Sequence, residues 1–348
     1  HPEHLEAGLK PHAVCEKWYY GRTVPQANYA EDVTEFIEKK VDALAAHQTA
    51  MRNAMNQLRM QLETYGRRIP MVEDALKKNK DAKVVAFVHA ETSTGAQSDA
   101  KTLAQIAHKH GAMVIMDAVT SLAGTPVKVD EWEIDAIYSA SQKCLSCTPG
   151  LAPVSFSDRV VQHVQSRKDK IHSWFMDMNL LLGYWGETTR TYHHTAPTNS
   201  LYALHEALVI LKEEGIENSW ARHMRNHLAL KAGLEAMGLK FLVKEGAGLP
   251  QMNAVLIPEQ IQARDAEVRK TLLNEFNLEI GAGLGPLAGK IWRFGLMGYS
   301  ARPENVMLCL SALGSVMSDM GHKVHVGDAE AAAHQAYASM HATEAKQK

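Results

Sequence analysis

Residues 84–150 contain VVAFVHAETSTG (84–95), DAKTLAQIAHKHG (99–111), AMVIMDAVTSLAGTPVKV (112–129) and DAIYSASQKCLSCTPG (135–150). The first, third and fourth pieces hold strand-like apolar runs that end in polar residues. Those residues are His89, Glu91 and Thr92 for the first run, Asp117 for the second, and Ser139, Gln142 and Lys143 for the last. The piece at 99–111 carries Leu103, Ile106 and Ala107 at helical spacing and stops at Gly111. Strand, helix, strand at this spacing is a βαβ unit of a parallel sheet. Ligands of such sheets sit beyond the carboxyl ends of the strands. Here those ends present one acid, Asp117, and one lysine, Lys143.

The pairing has a chemical meaning. A lysine in a Schiff base with an aldehyde, and a carboxylate that keeps a pyridine nitrogen protonated, are what pyridoxal 5'-phosphate (PLP) needs to act as an electron sink. A buried structural Asp beside a surface Lys is the plainer alternative. The small-residue Ser-x-Ser-Gln-Lys context, about one strand after Asp117, favours PLP.

Over residues 69–320 the chain resembles the alanine–glyoxylate and serine–pyruvate aminotransferases, fold type I PLP enzymes of aminotransferase class V. The resemblance rests on HAETSTG, MDAVTSLAGTP, YSASQKCLSCTPG, VSFSDR, TYHHTAPTNSLYALHEAL, GIENSWARH and GAGLGPLAGKIWRFGLMG, which are collinear. It implies an α/β fold with a mainly parallel large domain at 67–214, a smaller α+β domain at 215–322 and a tail at 323–348. It also implies transamination between a small amino acid (alanine or serine) and a 2-oxo acid (glyoxylate or pyruvate). Lys143 would be the Schiff-base lysine and proton carrier, and Asp117 the partner of the ring nitrogen. Thr92, Val119 and Gln142 would contact the cofactor. Tyr192 and Thr195 would reach the cofactor phosphate of a neighbouring subunit, which implies a homodimer with shared active sites. Arg293 would clamp the substrate carboxylate by its guanidinium fork.

Residues 1–66 read differently. Glu6, Gly8, Leu9, Pro11, His12 and Val14, then Asp32, Val33, Thr34, Lys40, Ala43, Leu44 and His47, resemble the C-terminal end of the PIG-L/LmbE zinc deacetylases. That family's His-x-Asp-Asp motif has no counterpart, so no metal is expected at these histidines. The class V aminotransferases' phosphate-binding segment and ring-stacking aromatic also have no counterpart before Ile69. An inactive homologue lacking that phosphate cup is therefore one rival reading, and a class V lyase or desulfurase is another.

Composition narrows the partners. A formal charge of −2 over 348 residues points to no nucleic-acid or membrane surface. No run reaches transmembrane length, and cytoplasmic is the default location. Four cysteines suggest no disulfide framework, and Cys144-x-x-Cys147 lacks a second pair to complete a zinc site. The GAGLG run at 281–285 opens no helix, so it is not a dinucleotide loop.

Further elements are expected downstream. The sequence predicts a helix at 70–80 and a buried strand at 84–89. Another helix is expected at 199–211, capped by Asn199 or Ser200, with Ala203, Leu204, Ala207 and Leu208 inward. KFLVK and NAVLIP read as strands, and 158–190 as interface and core rather than a pocket wall built on Trp174 and Tyr184. Residues 323–348 read as a frayed helix or a disordered tail.

Overall fold

The computed structural model describes residues 68–169, 171–186 and 191–347. The readings on residues 1–66 lie outside these. Helix α1 (Arg68–Lys78) ends on Lys77 and Lys78, cations suited to its negative pole. Then follow β1 (Val84–Val88), β2 (Ala90–Glu91), β3 (Ala96–Gln97), α2 (Ala100–Lys109), β4 (Met113–Asp117), β5 (Ala136–Tyr138) and β6 (Val154–Phe156). One sheet runs in the order β1-β4-β5-β6. The first three strands are parallel, with Val88 opposite Asp117 and Asp117 opposite Tyr138, and β6 returns antiparallel. The βαβ unit read from the sequence is therefore present.

Local chemistry explains its parts. Asp99 caps α2 by accepting from the Thr102 amide at 3.0 Å and the Thr102 hydroxyl at 2.7 Å. Gly111, at φ +75°, turns the chain out of the helix. Leu103, Ala104 and Ala107 of α2 bury against Phe87, Val114, Met116 and Ile137 of the sheet. Side chains alternate along a strand, so Asp117 and Tyr138 share the face turned away from α2. β1 lies at the edge of the described sheet and is only partly buried. Val84 is 46% exposed, which corrects the expectation of a buried strand.

Asp135 joins these pieces just before β5. Its Oδ2 accepts from the Val114 amide, from His108 Nε2 and from Arg159 Nη2, each at 2.8 Å, and its Oδ1 accepts from the Ser157 hydroxyl at 3.2 Å. A buried carboxylate is tolerated when its lone pairs are used in this way.

The rest of the chain forms α3 (Asp158–Gln165), α4 (Met178–Trp185), α5 (Thr198–Glu214), α6 (Ile216–Ala236), β7 (Lys240–Phe241), β8 (Met252–Leu256), α7 (Glu259–Gln262), α8 (Asp265–Phe276), β9 (Gly281–Ala282), β10 (Ile291–Gly295), α9 (Pro303–Asp319) and α10 (Val326–Gln347). Here the sheet is antiparallel in the order β7-β8-β10-β9. A second core gathers Leu230, Leu234, Val255, Trp292, Leu310 and Leu313. Fully burying each such side chain contributes about 1.5–3 kcal/mol. No described helix is long and apolar enough to cross a membrane.

Four expectations are corrected. KFLVK gives only a two-residue strand. α5 has no side-chain cap, and Pro197 precedes it. Of its four expected inward residues only Leu204 and Ala207 are half-buried, because its apolar residues circle the helix and Leu208 points out. In the 158–190 stretch, read as interface and core, Trp174, Phe175 and Met176 are exposed, so only the core part of that reading is overturned for them. Finally, the Ala/His-rich tail is a packed helix over its described length. Ala329 and Ala333 of α10 are fully buried in the second core, and Tyr337 donates to Asn226 Oδ1 at 2.7 Å. Small side chains that read as low helix-packing potential are what let α10 lie close on α6.

The two halves are stitched at the HAETSTG turn. The Gln97 amide donates to Ala247 O and the Leu249 amide to Gly95 O, both at 2.9 Å. Gly95 has φ +77°, and a Cβ there would lie 2.8 Å from Met252 O. Gly95→Ala should therefore destabilise the protein by about 1–3 kcal/mol. Urea unfolding would register this as a lower midpoint, and an unchanged midpoint would contradict the close approach.

Candidate active site

Asp117 ends β4 half-buried, and both of its carboxylate oxygens are occupied. Oδ1 accepts from the Val119 amide at 2.8 Å, and Oδ2 accepts from the Tyr138 hydroxyl at 2.8 Å. The chain turn after the strand makes the first bond, and the parallel register of β4 and β5 makes the second. Burial, reinforced by the bond to Asp117, pushes the Tyr138 phenol up to about 12, so it stays a donor. Tyr138 was not singled out from the sequence. Strand alternation held the signal, since residues paired in register share a face.

Lys143 lies five residues beyond β5, half-buried, in a turn closed by the Ser146 amide on Lys143 O at 3.0 Å. Its neighbour Gln142 is exposed. Cys144 is buried and donates weakly to Thr120 O at 3.5 Å, and burial pushes its thiol up to about 12. It is thus an inert packing residue rather than a nucleophile. Cys147 is free as well, and among the described residues no group of three His, Cys, Asp or Glu could hold a metal ion.

Arg293 comes from β10 in the other sheet, yet it reaches this strand-end group. Its Nε donates to Ala282 O at 2.8 Å and its Nη1 to Thr92 O at 3.1 Å. Burial lowers its pKa, and the Glu91 carboxylate opposes that shift. Two backbone carbonyls therefore aim the guanidinium, and its other donors make no further hydrogen bond among the described residues. Thr92 contributes its carbonyl here.

Asp117 ends β4, Thr92, Val119, Gln142 and Lys143 follow the carboxyl ends of β2, β4 and β5, and Arg293 reaches the Thr92 carbonyl from the second sheet. Tyr192 and Thr195 come from a different stretch. Their hydroxyls meet at 2.5 Å on an exposed segment before α5, and no contact links them to Asp117 or Lys143 among the described residues. Beside them, Trp174 stacks on His193 at 4.0 Å.

The donor set suits PLP: a fixed carboxylate for the ring nitrogen, a primary amine for the aldehyde, and a guanidinium for a substrate carboxylate. The sheet face bearing Asp117 is also left open by the described residues, with Tyr138 and Val154 each 40% exposed.

A parallel sheet with an acid and a lysine beyond its strand ends accords with a PLP-type enzyme, and the family model for class-V aminotransferases matches residues 29–291. The chain belongs to the class-V aminotransferase family. That match starts upstream of Ile69, where the resemblance read from the sequence begins. Among curated relatives, the (S)-ureidoglycine–glyoxylate transaminase of Bacillus subtilis is 37% identical over 305 residues, 79% of this chain and 73% of that one. The alanine–glyoxylate aminotransferase of Callithrix jacchus is 39% identical over 70% of this chain and 58% of its own length. The crystal structure of ureidoglycine–glyoxylate aminotransferase from Bacillus subtilis superposes with a TM-score of 0.74 at 40% identity, covering 78% of this chain and 69% of that one. The chain thus spans under two thirds of the alanine–glyoxylate aminotransferases that it matches, between 58% and 62% of their length.

Two buried histidines flank the site. The His89 amide donates to Asp117 O at 2.9 Å, and the His89 ring lies 5.4 Å from Trp132, edge to face. His223 Nδ1–H donates to Ser219 O at 2.7 Å, while its Nε2 accepts from the Gly298 amide at 2.8 Å. Burial pulls both rings down to about 4, so the fold holds them neutral. Unfolded histidine titrates near 6.5. Between about 6.5 and 4 the unfolded chain binds more protons, so stability falls as pH falls through that window, by roughly 3 kcal/mol per ring at most. Urea midpoints across the window should show this loss. His223→Gln should reduce its steepness by up to about one proton, and a pH-independent midpoint would contradict the neutral rings.

Proposed function

We propose that this chain is a PLP-dependent aminotransferase that exchanges the amino group of a small amino acid, alanine or serine, with a 2-oxo acid, glyoxylate or pyruvate. Glyoxylate is favoured as acceptor because the similar proteins carry it in their names. The carrying observation is the Asp117 carboxylate, held through both oxygens one strand away from Lys143, with Arg293 fixed by the Thr92 carbonyl.

When bound, PLP supplies an electron sink for carbanion character at the substrate's alpha carbon. The chain's residues do the rest. Asp117 would pair with the ring nitrogen. Lys143 would hold the group through its side-chain amine, and that amine would carry the proton at the alpha carbon. Val119 would pack on the ring, and Thr92 and Gln142 would border it. Arg293 orients the substrate carboxylate with the donors it has to spare. Tyr192 and Thr195 are assigned to the phosphate of a neighbouring protomer. Their exposure supports that assignment, together with that of Trp174, Tyr202 and Ile210, because a homodimer would cover such residues. Free cysteines favour a reducing, cytoplasmic setting. On this reading 67–214 is the cofactor domain, 215–322 the smaller domain and 1–66 an appended segment.

Visible absorption after incubation with PLP and dialysis, then borohydride reduction and peptide mass mapping, tests the proposal. A retained band with the reduced adduct on Lys143 is the expected result. Lys143→Ala should abolish both adduct and alanine–glyoxylate turnover, and Asp117→Asn should lower turnover by about 10²–10³-fold. An unmodified Lys143 in the wild-type protein would defeat the assignment.

A further inference from the structure

One hydroxyl of the turn that carries Lys143 is hydrogen-bonded to the far half of the chain. Ser146 Oγ accepts from the Tyr299 amide at 2.7 Å. Ser146 itself sits at φ +57°, a left-handed conformation that costs an L residue energy and persists where surrounding contacts over-determine it. The approach is close. Gly298, at φ +55°, has no room for a side chain, since a Cβ would lie 1.8 Å from Ser146 Oγ and 2.8 Å from Cys144 O. The Gly298 segment is anchored in turn to α6, by its amide on His223 Nε2 at 2.8 Å and by its carbonyl accepting from Arg222 Nη1 at 2.6 Å. Arg222 is oriented for this by a two-point pair with Glu214. Ser146, Gly298 and Tyr299 border a cleft of about 440 Å³ shared with Leu145, Ala207 and Leu211, and the turn's Cys144 and Leu145 pack against Leu204, Leu211 and Met297.

We propose that Ser146 is a positioning residue for Lys143: its hydroxyl, hooked on the Tyr299 amide, sets the height of the lysine turn above the sheet. The position of the amine then depends on the 298–302 segment as well as on its own strand. This rests on the reading that Lys143 is the cofactor lysine.

Two variants separate the hydroxyl from the strain. Ser146→Gly adopts the left-handed turn freely but lacks the acceptor. Ser146→Asn tolerates that conformation and returns an acceptor oxygen. The rate of covalent adduct formation between PLP and Lys143, trapped with borohydride and quantified by peptide mapping over a pH series, reports where the amine stands. Ser146→Gly should slow that rate by about fivefold, the population loss expected for one modest hydrogen bond, and displace the midpoint of its pH profile. Ser146→Asn should restore both to within about twofold. Backbone amide exchange in peptides covering 143–147 should quicken in Ser146→Gly. Wild-type rate and pH profile in Ser146→Gly would overturn the proposal even if its exchange or melting changed, since the hook would then be merely structural. A wild-type protein that forms no adduct at Lys143 would instead overturn the aminotransferase reading, and the positioning role with it.

Discussion

The buried carboxylate of Asp135 is the constraint on which the site depends. Four donors converge on it from α2, β4, the start of α3 and the residue before that helix. Asp135 immediately precedes β5, so fixing it fixes where β5 begins. A slip of one residue would turn Tyr138 to the helix-covered face and leave Asp117 with one donor instead of two. The cost of burying the charge is offset only while all of its partners are in place. A structural ion cluster on one face of the sheet thus sets the register that the chemical face needs.

Across the chain, backbone groups take part in each of the polar contacts where the two halves meet. Carbonyls of Thr92 and Ala282 aim Arg293, amides of Gln97 and Leu249 stitch the HAETSTG turn, and the Tyr299 amide meets Ser146. Backbone groups move only when whole elements move. The glycines at 95 and 298 mark the points where this meeting leaves no space for a side chain.

Much of this was legible in the sequence. The polar ends of three apolar runs located Asp117 and Lys143, and periodicity found α2 and its Gly111 stop. Arg293 was identifiable only through resemblance, because nothing local in IWRFG says that it will reach Thr92, far away in sequence. Tyr138 was missed although alternation placed it beside Asp117, since a tyrosine on a short strand reads first as packing. Ser146 gave no signal, because its conformation and its partner are tertiary. α5 and α10 misled in opposite senses. Leucines on α5 suggested a buried face where the helix is exposed, and alanines on α10 suggested fraying where small residues permit close packing.

The docking of α10 on α6 has a consequence for the order in which the protein can be built. The β1-α2-β4 unit closes from contacts a few tens of residues apart, so it can collapse soon after it leaves the ribosome. The second core cannot. Leu230 and Leu234 of α6 share it with Ala329 and Ala333, roughly a hundred positions later. Until those alanines emerge, α6 has synthesised its apolar face without the partner that covers it. The half of the molecule that holds Arg293 and Gly298 therefore matures after the β1-α2-β4 unit, and the lysine turn gains its outside anchor only once α10 has emerged.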